Sequence, residues 1–274
     1  TPVPTAVAHP CDESSLRGAV EAAQVGILQP ILVGPRARIE AVAAQFHLNI
    51  SDYEIVDVPH SHAAADLAVQ LAREGKAEML MKGSLHTDEL MGAVVRSGTG
   101  LRTERRISHA FIMDVPSQDR PIIVTDAAIN IFPTLEDKMH IVQNAIDLAR
   151  ALGMAQPKVA ILSAMETVNP KVQSTVEAAA LCKMADRKQI TGGILDGPLA
   201  LDNAIDLAAA RIKQIDSPVA GLADILVVPD LEAGNMLAKS LSFMADADAA
   251  GIVLGARVPV ILTSRADSIL TRLA

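Results

Sequence analysis

The stretch Val258-Pro259-Val260-Ile261-Leu262-Thr263-Ser264-Arg265-Ala266-Asp267-Ser268 joins an apolar segment directly to hydroxyl, guanidinium and carboxylate groups. Its first half, residues 258–262, predicts a short buried strand interrupted only by Pro259. In an open α/β sheet, ligands bind beyond the carboxyl ends of the strands, where loops surround a crevice. The polar second half therefore indicates a site, with helix capping by Ser264 or Asp267 as the simpler alternative.

The same pattern recurs along the rest of the chain. Short apolar runs alternate with amphipathic helical segments, and most of the runs are unbroken, which is typical of parallel strands covered by helices on both faces. Polar groups follow these runs at Ser84, Asp126, Ser163, Asp196, Asp230 and Ser264. If the strands are parallel, these groups gather along one edge of a sheet. The sequence therefore predicts an α/β fold with a cleft at that edge.

Length and composition allow one large domain or two ordinary ones. The chain has 274 residues, of which 50% are hydrophobic, so it can bury a sizeable core. It contains no Trp, one Tyr and four Phe, so that aliphatic side chains must fill the interior. The turn-rich connection at residues 116–121 is the best interior candidate for a boundary.

Charge and cysteine content exclude several classes of protein. The net charge is −8 with no block of Lys or Arg, so a nucleic acid is not expected as a partner. The local cluster Arg102, Arg105 and Arg106 is either a small-anion site or a solvated loop end. Two lone cysteines form neither a disulfide framework nor a metal site, which fits a reducing, cytoplasmic setting. No apolar run reaches the ~18 residues of a membrane span, so no membrane partner is expected.

The segment 79–87 carries the densest group of hydrogen-bond donors. An apolar run ends there in Lys82-Gly83-Ser84-Leu85-His86-Thr87, in which Gly83 lets a ligand approach the backbone. The spacing is not that of a phosphate-binding P-loop, and neither a GxGxxG turn nor a GxSxG elbow is present. The residues alone thus indicate a transferase or ligase-like cleft that binds an anionic substrate.

Four segments together resemble the phosphate acetyltransferase and phosphate butyryltransferase family. They are residues 82–87, residues 124–130 with Pro133, residues 221–235 and residues 263–268. The resemblance implies two α/β/α domains with a cleft between them, as in isocitrate and isopropylmalate dehydrogenases. One domain would comprise residues 1–110 plus 252–274, and the other would be the insertion 111–251.

The resemblance also implies an activity and a site. The reaction is acyl-CoA + phosphate = acyl phosphate + CoA, carried out by a homodimer that uses coenzyme A as substrate and needs neither a cofactor nor a metal. Ser264 would hydrogen-bond the thiol, Arg265 would hold the phosphate and the carbonyl oxygen, and Asp267 is the nearby carboxylate. The predicted substrate-binding residues are Lys82, Gly83, Ser84, His86, Thr87, Asp126, Asn130, Asp230, Gly234 and Asn235.

The chain departs from the acetyltransferase pattern at two positions. The aspartate base expected seven residues after Ser264 is replaced by Thr271, and an arginine of the helix after Thr87 is replaced by Gly92. Phosphate binding would then depend on Arg265, Lys82 or Arg105. These departures keep open the alternative of a non-catalytic acyl-CoA-binding or dimerising module. A further alternative on the same fold is an NAD(P)-dependent oxidoreductase with a metal near Asp126 or Asp230.

The N-terminal sequence most resembles that of bifunctional enoyl-CoA hydratase/phosphate acetyltransferases. The relevant segments are residues 7–12 and 30–35. Those proteins carry a hydratase domain upstream, and this resemblance implies such a domain in the full-length polypeptide.

Overall fold

The first part of the chain alternates strictly between strands and helices. The structure, a computed structural model, describes residues 1–262. The elements are β1 (Val3–Ala8), α1 (Glu13–Gln24), β2 (Leu28–Gly34), α2 (Arg36–Gln45), β3 (Glu54–Asp57), α3 (Ser61–Arg73), β4 (Met79–Lys82) and α4 (Thr87–Val95).

The middle part of the chain begins with two consecutive strands and then alternates again. Its elements are β5 (Ser108–Asp114), β6 (Ile122–Thr125), α5 (Leu135–Ala151), β7 (Lys158–Leu162), α6 (Gln173–Asp186), β8 (Ile194–Leu199), α7 (Leu201–Ile205), α8 (Leu207–Ile212), β9 (Ile225–Val227) and α9 (Leu231–Met244). The described chain closes with β10 (Asp248–Leu254) and β11 (Val260–Ile261).

The chain divides into two compact units. The first contains Thr1–Arg105 and the chain from Ala250 onward, and the second is Arg106–Ala249. These units are defined by how densely their residues contact one another. The domain boundaries expected from the sequence, at 110/111 and 251/252, stay a prediction. The predicted α/β class is confirmed, since each unit combines strands with packed helices.

In the first unit the strand order is β3-β2-β1-β4-β11-β10. All of these neighbours are parallel except β10 and β11, which pair antiparallel. Ile261 is level with Met81, so β11 ends beside the end of β4. Strands β1, β2 and β4 contribute Val7, Leu32 and Met81 to a core that includes Leu16 of α1 and Ile39 of α2.

In the second unit the strand order is β5-β6-β9-β7-β8. Strands β6, β9, β7 and β8 are mutually parallel, whereas β5 pairs antiparallel with β6 because a short connection, residues 115–121, links them. The core of this unit includes Met113, Val124, Ala160 and Leu226. Buried apolar side chains of the described residues are aliphatic or sulfur-containing, as the scarcity of aromatic residues predicts.

Three local expectations from the sequence are wrong. Helical spacing of apolar residues predicts a single helix over residues 204–212. The structure has two short helices instead, because the Asp206 carboxylate accepts the amides of Ala208 and Ala209 and caps a new helix there. Asp196 lies inside β8, not at its end. Helix α9 begins at Leu231, so Gly234-Asn235 lies within it and does not open it.

Two further features concern the role of His60 and the possibility of a membrane-spanning helix. His60 serves as helix entry, since it is the N-cap of α3 and its Nδ1 accepts the amide of Ala63 at 3.1 Å, whereas His62 lies in the first turn of the helix. In the described part of the chain, no helix has both the length and the apolar character needed to cross a bilayer.

Candidate active site

The turn after β4 is held tightly against the end of β1. The Gly83 amide donates to Ala8 O at 2.9 Å, and a Cβ at position 83 would approach that oxygen to 2.3 Å. Only glycine fits such a contact, since real Cβ atoms do not come this close. Glycine is therefore required at position 83 because the backbone of residues 8 and 9 packs directly against it. This close packing brings Ser84 beside His9.

Ser84 and His9 hold each other through three hydrogen bonds. The Ser84 amide donates to His9 O at 2.9 Å, and the Ser84 hydroxyl donates to the same oxygen at 2.8 Å. His9 Nδ1 lies 2.9 Å from Ser84 Oγ. With the Ser84 hydroxyl donating to His9 O, Nδ1 is the donor in this contact, which corresponds to the Nδ1–H tautomer with a lone pair on Nε2.

His9 is the main residue of the first unit that the sequence analysis did not select. Its backbone has φ 57°, a left-handed conformation that is uncommon outside glycine. Burial lowers the pKa of His9, and Arg38 lowers it further, so the ring is neutral near pH 7. The signal was available, because His9 follows the apolar run of residues 5–8 in the same way that Gly83 and Ser84 follow β4.

The remaining predicted residues of this turn differ in exposure. Lys82 is buried and its Nζ lies 3.4 Å from Gly83 O. His86 is the N-cap of α4 but makes no capping bond through its side chain, and both His86 and Thr87 are exposed. The beginning of α4 therefore presents two polar side chains and backbone amides to solvent, an arrangement that can bind an anion.

In the second unit, Asp126 organises the loop that follows β6. Its Oδ1 accepts the amides of Ala128 and Ile129 at 2.9 and 3.0 Å. Its Oδ2 accepts the amide and the side-chain amide of Asn130 at 3.3 and 2.5 Å. Asp126 is only 3% exposed, so these four N–H groups replace the water molecules that would otherwise solvate its carboxylate. Its observed role is to fix the shape of the loop.

Asn130 links this loop to the start of β5. Its side-chain amide also donates to Ile107 O at 2.9 Å, and its Oδ1 accepts from Arg106 Nε at 2.8 Å. Arg106 additionally lies 3.5 Å from Asp137 Oδ1. Arg106 belongs to the cluster that the sequence left open between an anion site and a loop end, and here it holds Asn130 and Asp137.

Helix α9 packs directly on the same loop. Asp230 caps the helix by accepting the amide of Ala233 at 2.8 Å, and Asn235 Nδ2 lies 3.3 Å from Ala127 O. A Cβ on Gly234 would lie 2.9 Å from Asp126 O and 3.0 Å from Ala127 Cα. Gly234 thus permits close packing of the helix on the loop. The structure brings together the predicted residues Asp126, Asn130, Asp230, Gly234 and Asn235 within one unit.

The predicted residues Ser264, Arg265 and Asp267 lie outside the described residues. Among residues 1–262, no group of three or more His, Cys, Asp or Glu side chains is arranged to hold a metal ion. Asp126 and Asp230, the positions named for a metal in the oxidoreductase alternative, accept N–H groups of the protein. The described geometry therefore provides hydrogen-bond donors and acceptors at strand ends and gives no particular support to metal chemistry.

Comparison with known proteins defines the class. The chain is 69% identical over 273 residues to the phosphate acetyltransferase of Rhizobium meliloti, covering 100% of this chain and 86% of that protein. It is 44% identical over 273 residues to the phosphate butyryltransferase of Clostridium beijerinckii, covering 98% and 90%. The crystal structure of a branched-chain phosphotransacylase from Enterococcus faecalis V583 matches with a TM-score of 0.85 and 32% identity, over 99% of this chain and 95% of that one.

Fold, strand-end groups and relatives together place the chain among the α/β phosphate acyltransferases. The family model described as Phosphate acetyl/butaryl transferase matches residues 60–272. The chain belongs to this family, and the resemblance carried by its four sequence segments is confirmed.

Proposed function

We propose that this protein transfers a short acyl group between coenzyme A and inorganic phosphate. The observation that carries the proposal is membership of the family over residues 60–272, which include every predicted site residue. The substrates are acyl-CoA and phosphate in one direction, and acyl phosphate and CoA in the other. Coenzyme A is consumed as a substrate, and no separate cofactor or metal is required.

The reaction is a direct attack of the CoA thiolate on the acyl phosphate. A C–S bond forms at the carbonyl carbon, and the bond from that carbon to the phosphate oxygen breaks. Arg265 binds the phosphate through paired N–H donors and stabilises the negative charge that develops on the carbonyl oxygen. Ser264 hydrogen-bonds the sulfur. These roles come from the family resemblance.

The described strands support this choice of residues. Ile261 pairs with Met81, one position before Lys82, so β11 ends next to the predicted donor turn of β4. Ser264 follows Ile261 by only three positions in the sequence. We propose that Lys82, His86 and Thr87 bind substrate phosphate groups at this end of the first unit, and that Gly83 and Ser84 contribute by holding the substrate-binding turn in shape.

The second unit contributes a preformed loop. Asp126 has both carboxylate oxygens occupied by N–H groups, so we propose that it acts by holding Asn130 and the loop backbone in a binding conformation. Asp230, Gly234 and Asn235 fix α9 against that loop and complete the proposed substrate-binding group.

The test is a panel of acyl-CoA substrates. The protein is incubated with acetyl-, propionyl- and butyryl-CoA plus phosphate, and thiol release is followed together with acyl phosphate formation. Turnover of at least one acyl-CoA is expected. Absence of thiol release with all three substrates would overturn the proposal, and tight acyl-CoA binding without turnover would favour the non-catalytic module.

Arg265→Ala tests the proposed anion site within the same assay. We expect the phosphate concentration needed for half-maximal rate to rise at least tenfold, because a bidentate guanidinium–phosphate contact contributes more than about 1.4 kcal/mol. Unchanged phosphate saturation would contradict the role assigned to Arg265.

The protein is proposed to work as a homodimer in the cytoplasm. Two of its four Phe, Phe132 and Phe243, are 76% and 78% exposed, and Met236, also in the second unit, is 63% exposed. Such apolar exposure is typical of a surface that another subunit covers. An upstream hydratase domain in the full-length polypeptide stays a prediction from the N-terminal resemblance.

A further inference from the structure

The hydrogen bonds around His9 leave one ring nitrogen available for chemistry. Ser84 Oγ donates to His9 O at 2.8 Å and receives His9 Nδ1–H at 2.9 Å, and the Cys11 amide lies 3.3 Å from the same oxygen. The serine hydroxyl is therefore fully used in orienting the imidazole. In the Nδ1–H tautomer, His9 Nε2 carries the lone pair and can accept a proton.

The position of His9 suits proton transfer at the proposed substrate edge. His9 directly follows β1, whose last residue Ala8 is in register with Lys82 at the end of β4. Strand β11, which leads in sequence to Ser264 and Arg265, pairs with β4 on its other side. His9 as a whole is only 7% exposed.

Three charged groups act on the His9 ring. Arg38 of α2 lowers the pKa of His9, whereas Glu89 of α4 and Asp12 before α1 raise it, and burial is the largest influence. Glu89 Oε2 is buried without a hydrogen-bond partner in the described chain, and Oε1 lies 3.7 Å from His62 Nδ1. A carboxylate with an unused oxygen near an imidazole stabilises the imidazolium that forms when the ring accepts a proton.

Other groups at the same edge leave the ring as the available base. The Cys11 thiol has its pKa raised by burial, so it stays protonated. The Ser84 hydroxyl is committed to His9. In addition, Thr271 occupies the position at which the family resemblance expects an aspartate base.

We propose that His9 Nε2 is the general base that takes the proton from the thiol of coenzyme A. This inference rests on the proposed function and names the group that activates its nucleophile. The S–H bond breaks as the proton moves to Nε2, and the sulfur electron pair forms the C–S bond to the acyl carbon. The bond from that carbon to phosphate oxygen breaks, and phosphate leaves with its electron pair. The imidazolium then releases its proton to the phosphate or to solvent.

His9→Asn separates the base from the structural contact. Asparagine tolerates a positive φ and keeps an amide donor for Ser84 Oγ, but it has no basic nitrogen. We expect kcat with acyl phosphate and CoA to fall about 10²- to 10⁴-fold, with little change in the KM for acyl phosphate. The matched control is His47→Asn, because His47 also has a positive φ, 54°, but is exposed after α2. The control should keep the wild-type rate.

The pH profile provides a readout that a purely structural role would not change. In the wild type, log kcat/KM for CoA should fall with unit slope below the ordinary histidine value of 6.5, because the base must be neutral. This limb should be absent in His9→Asn and present in His47→Asn. A wild-type profile that is flat across this region would by itself overturn the proposal.

A second variant covers the case in which His9→Asn does not fold. His9→Gly suits the backbone at φ 57° and leaves space for free imidazole, which should restore part of the lost rate. Wild-type kcat in His9→Asn, or no rescue in a folded His9→Gly, would overturn the role of His9. Inactivity of the wild type itself with every acyl substrate would instead overturn the proposed function.

Discussion

At the scale of single residues, His109 of the second unit is an almost completely buried titratable side chain. It is 2% exposed, its ring centroid lies 4.4 Å from that of Phe111, and its Nδ1 has no hydrogen-bond partner in the described part of the chain. Burial lowers the pKa of His109 to about 4, although the Asp126 carboxylate acts in the opposite direction. The folded protein therefore holds a neutral imidazole at pH values where a solvated histidine is protonated.

This burial predicts a loss of stability in acid. Below pH 6.5 the unfolded chain protonates His109, whereas the folded protein does not do so until about pH 4, so the free energy of unfolding falls across this window. The contribution of this one group between pH 6.5 and 5 is about 2 kcal/mol. Denaturant titrations of the wild type and His109→Phe at both pH values measure it. The variant keeps an aromatic contact with Phe111 and lacks the titrating group.

The variant should therefore lose less stability than the wild type over the same pH interval. His47→Gln serves as the control, because this histidine side chain is exposed. If His109→Phe and the wild type show the same pH dependence of unfolding free energy, the assignment to His109 is incorrect.

At the scale of elements, two helical glycines have opposite surroundings. In α9, a Cβ at Gly234 would lie 2.7 Å from Val228 Cγ2 and 2.9 Å from Asp126 O. In α4, a Cβ at Gly92 would meet nothing within 4 Å. Both positions gain the same intrinsic advantage from alanine, which is about 1 kcal/mol in a helix interior. Tertiary packing alone distinguishes them.

Gly234→Ala should destabilise the protein by about 1–3 kcal/mol, since the helix must move away from the loop of Asp126. Gly92→Ala should leave stability unchanged or raise it by up to about 1 kcal/mol. Urea unfolding midpoints of the two variants provide the measurement. An equal or higher midpoint for Gly234→Ala than for the wild type would show that α9 does not pack on the loop in solution as described.

Element boundaries also show which local rules are decisive. Helix α5 begins at Leu135, as the sequence predicts, because Thr134 and Asp137 form a reciprocal capping box. The break between α7 and α8 was missed, although Asp206 is a good N-cap residue. Helical spacing of apolar residues continues through 204–212, so periodicity concealed the cap.

At the scale of the whole molecule, the exposed apolar side chains of the second unit predict self-association. Phe243 at the end of α9 is 78% exposed, and a charge there should oppose burial against a second copy. Sedimentation velocity should show a dimeric wild type and a shift of Phe243→Glu towards monomer. Ile212→Glu, on α8 and 81% exposed, is the comparison at a site not assigned to the interface. A monomeric wild type at micromolar concentration would contradict the proposed homodimer.

The α/β class and the family were predictable from the chain alone. Unbroken apolar runs separated by amphipathic segments produce parallel sheets with covered faces, and the strand-end polar groups carry the family motifs. The antiparallel pairing of β5 with β6 and of β10 with β11 departs from the all-parallel expectation. Strand direction depends on how short the connection is, and an apolar run has the same composition in either direction.

The stretch at residues 258–268 illustrates both parts of the result. The sequence by itself determined that an apolar run leads into Ser264 and Arg265. The tendency of an apolar run to be buried, and of the polar residues after it to end the run, depends only on neighbouring residues in the chain. Only the tertiary structure decided that β11 lies beside β4 and that Ser84 orients His9, 75 positions earlier in the chain. Contacts between residues so far apart in the chain depend on strand order and register, which hydrophobic periodicity does not encode.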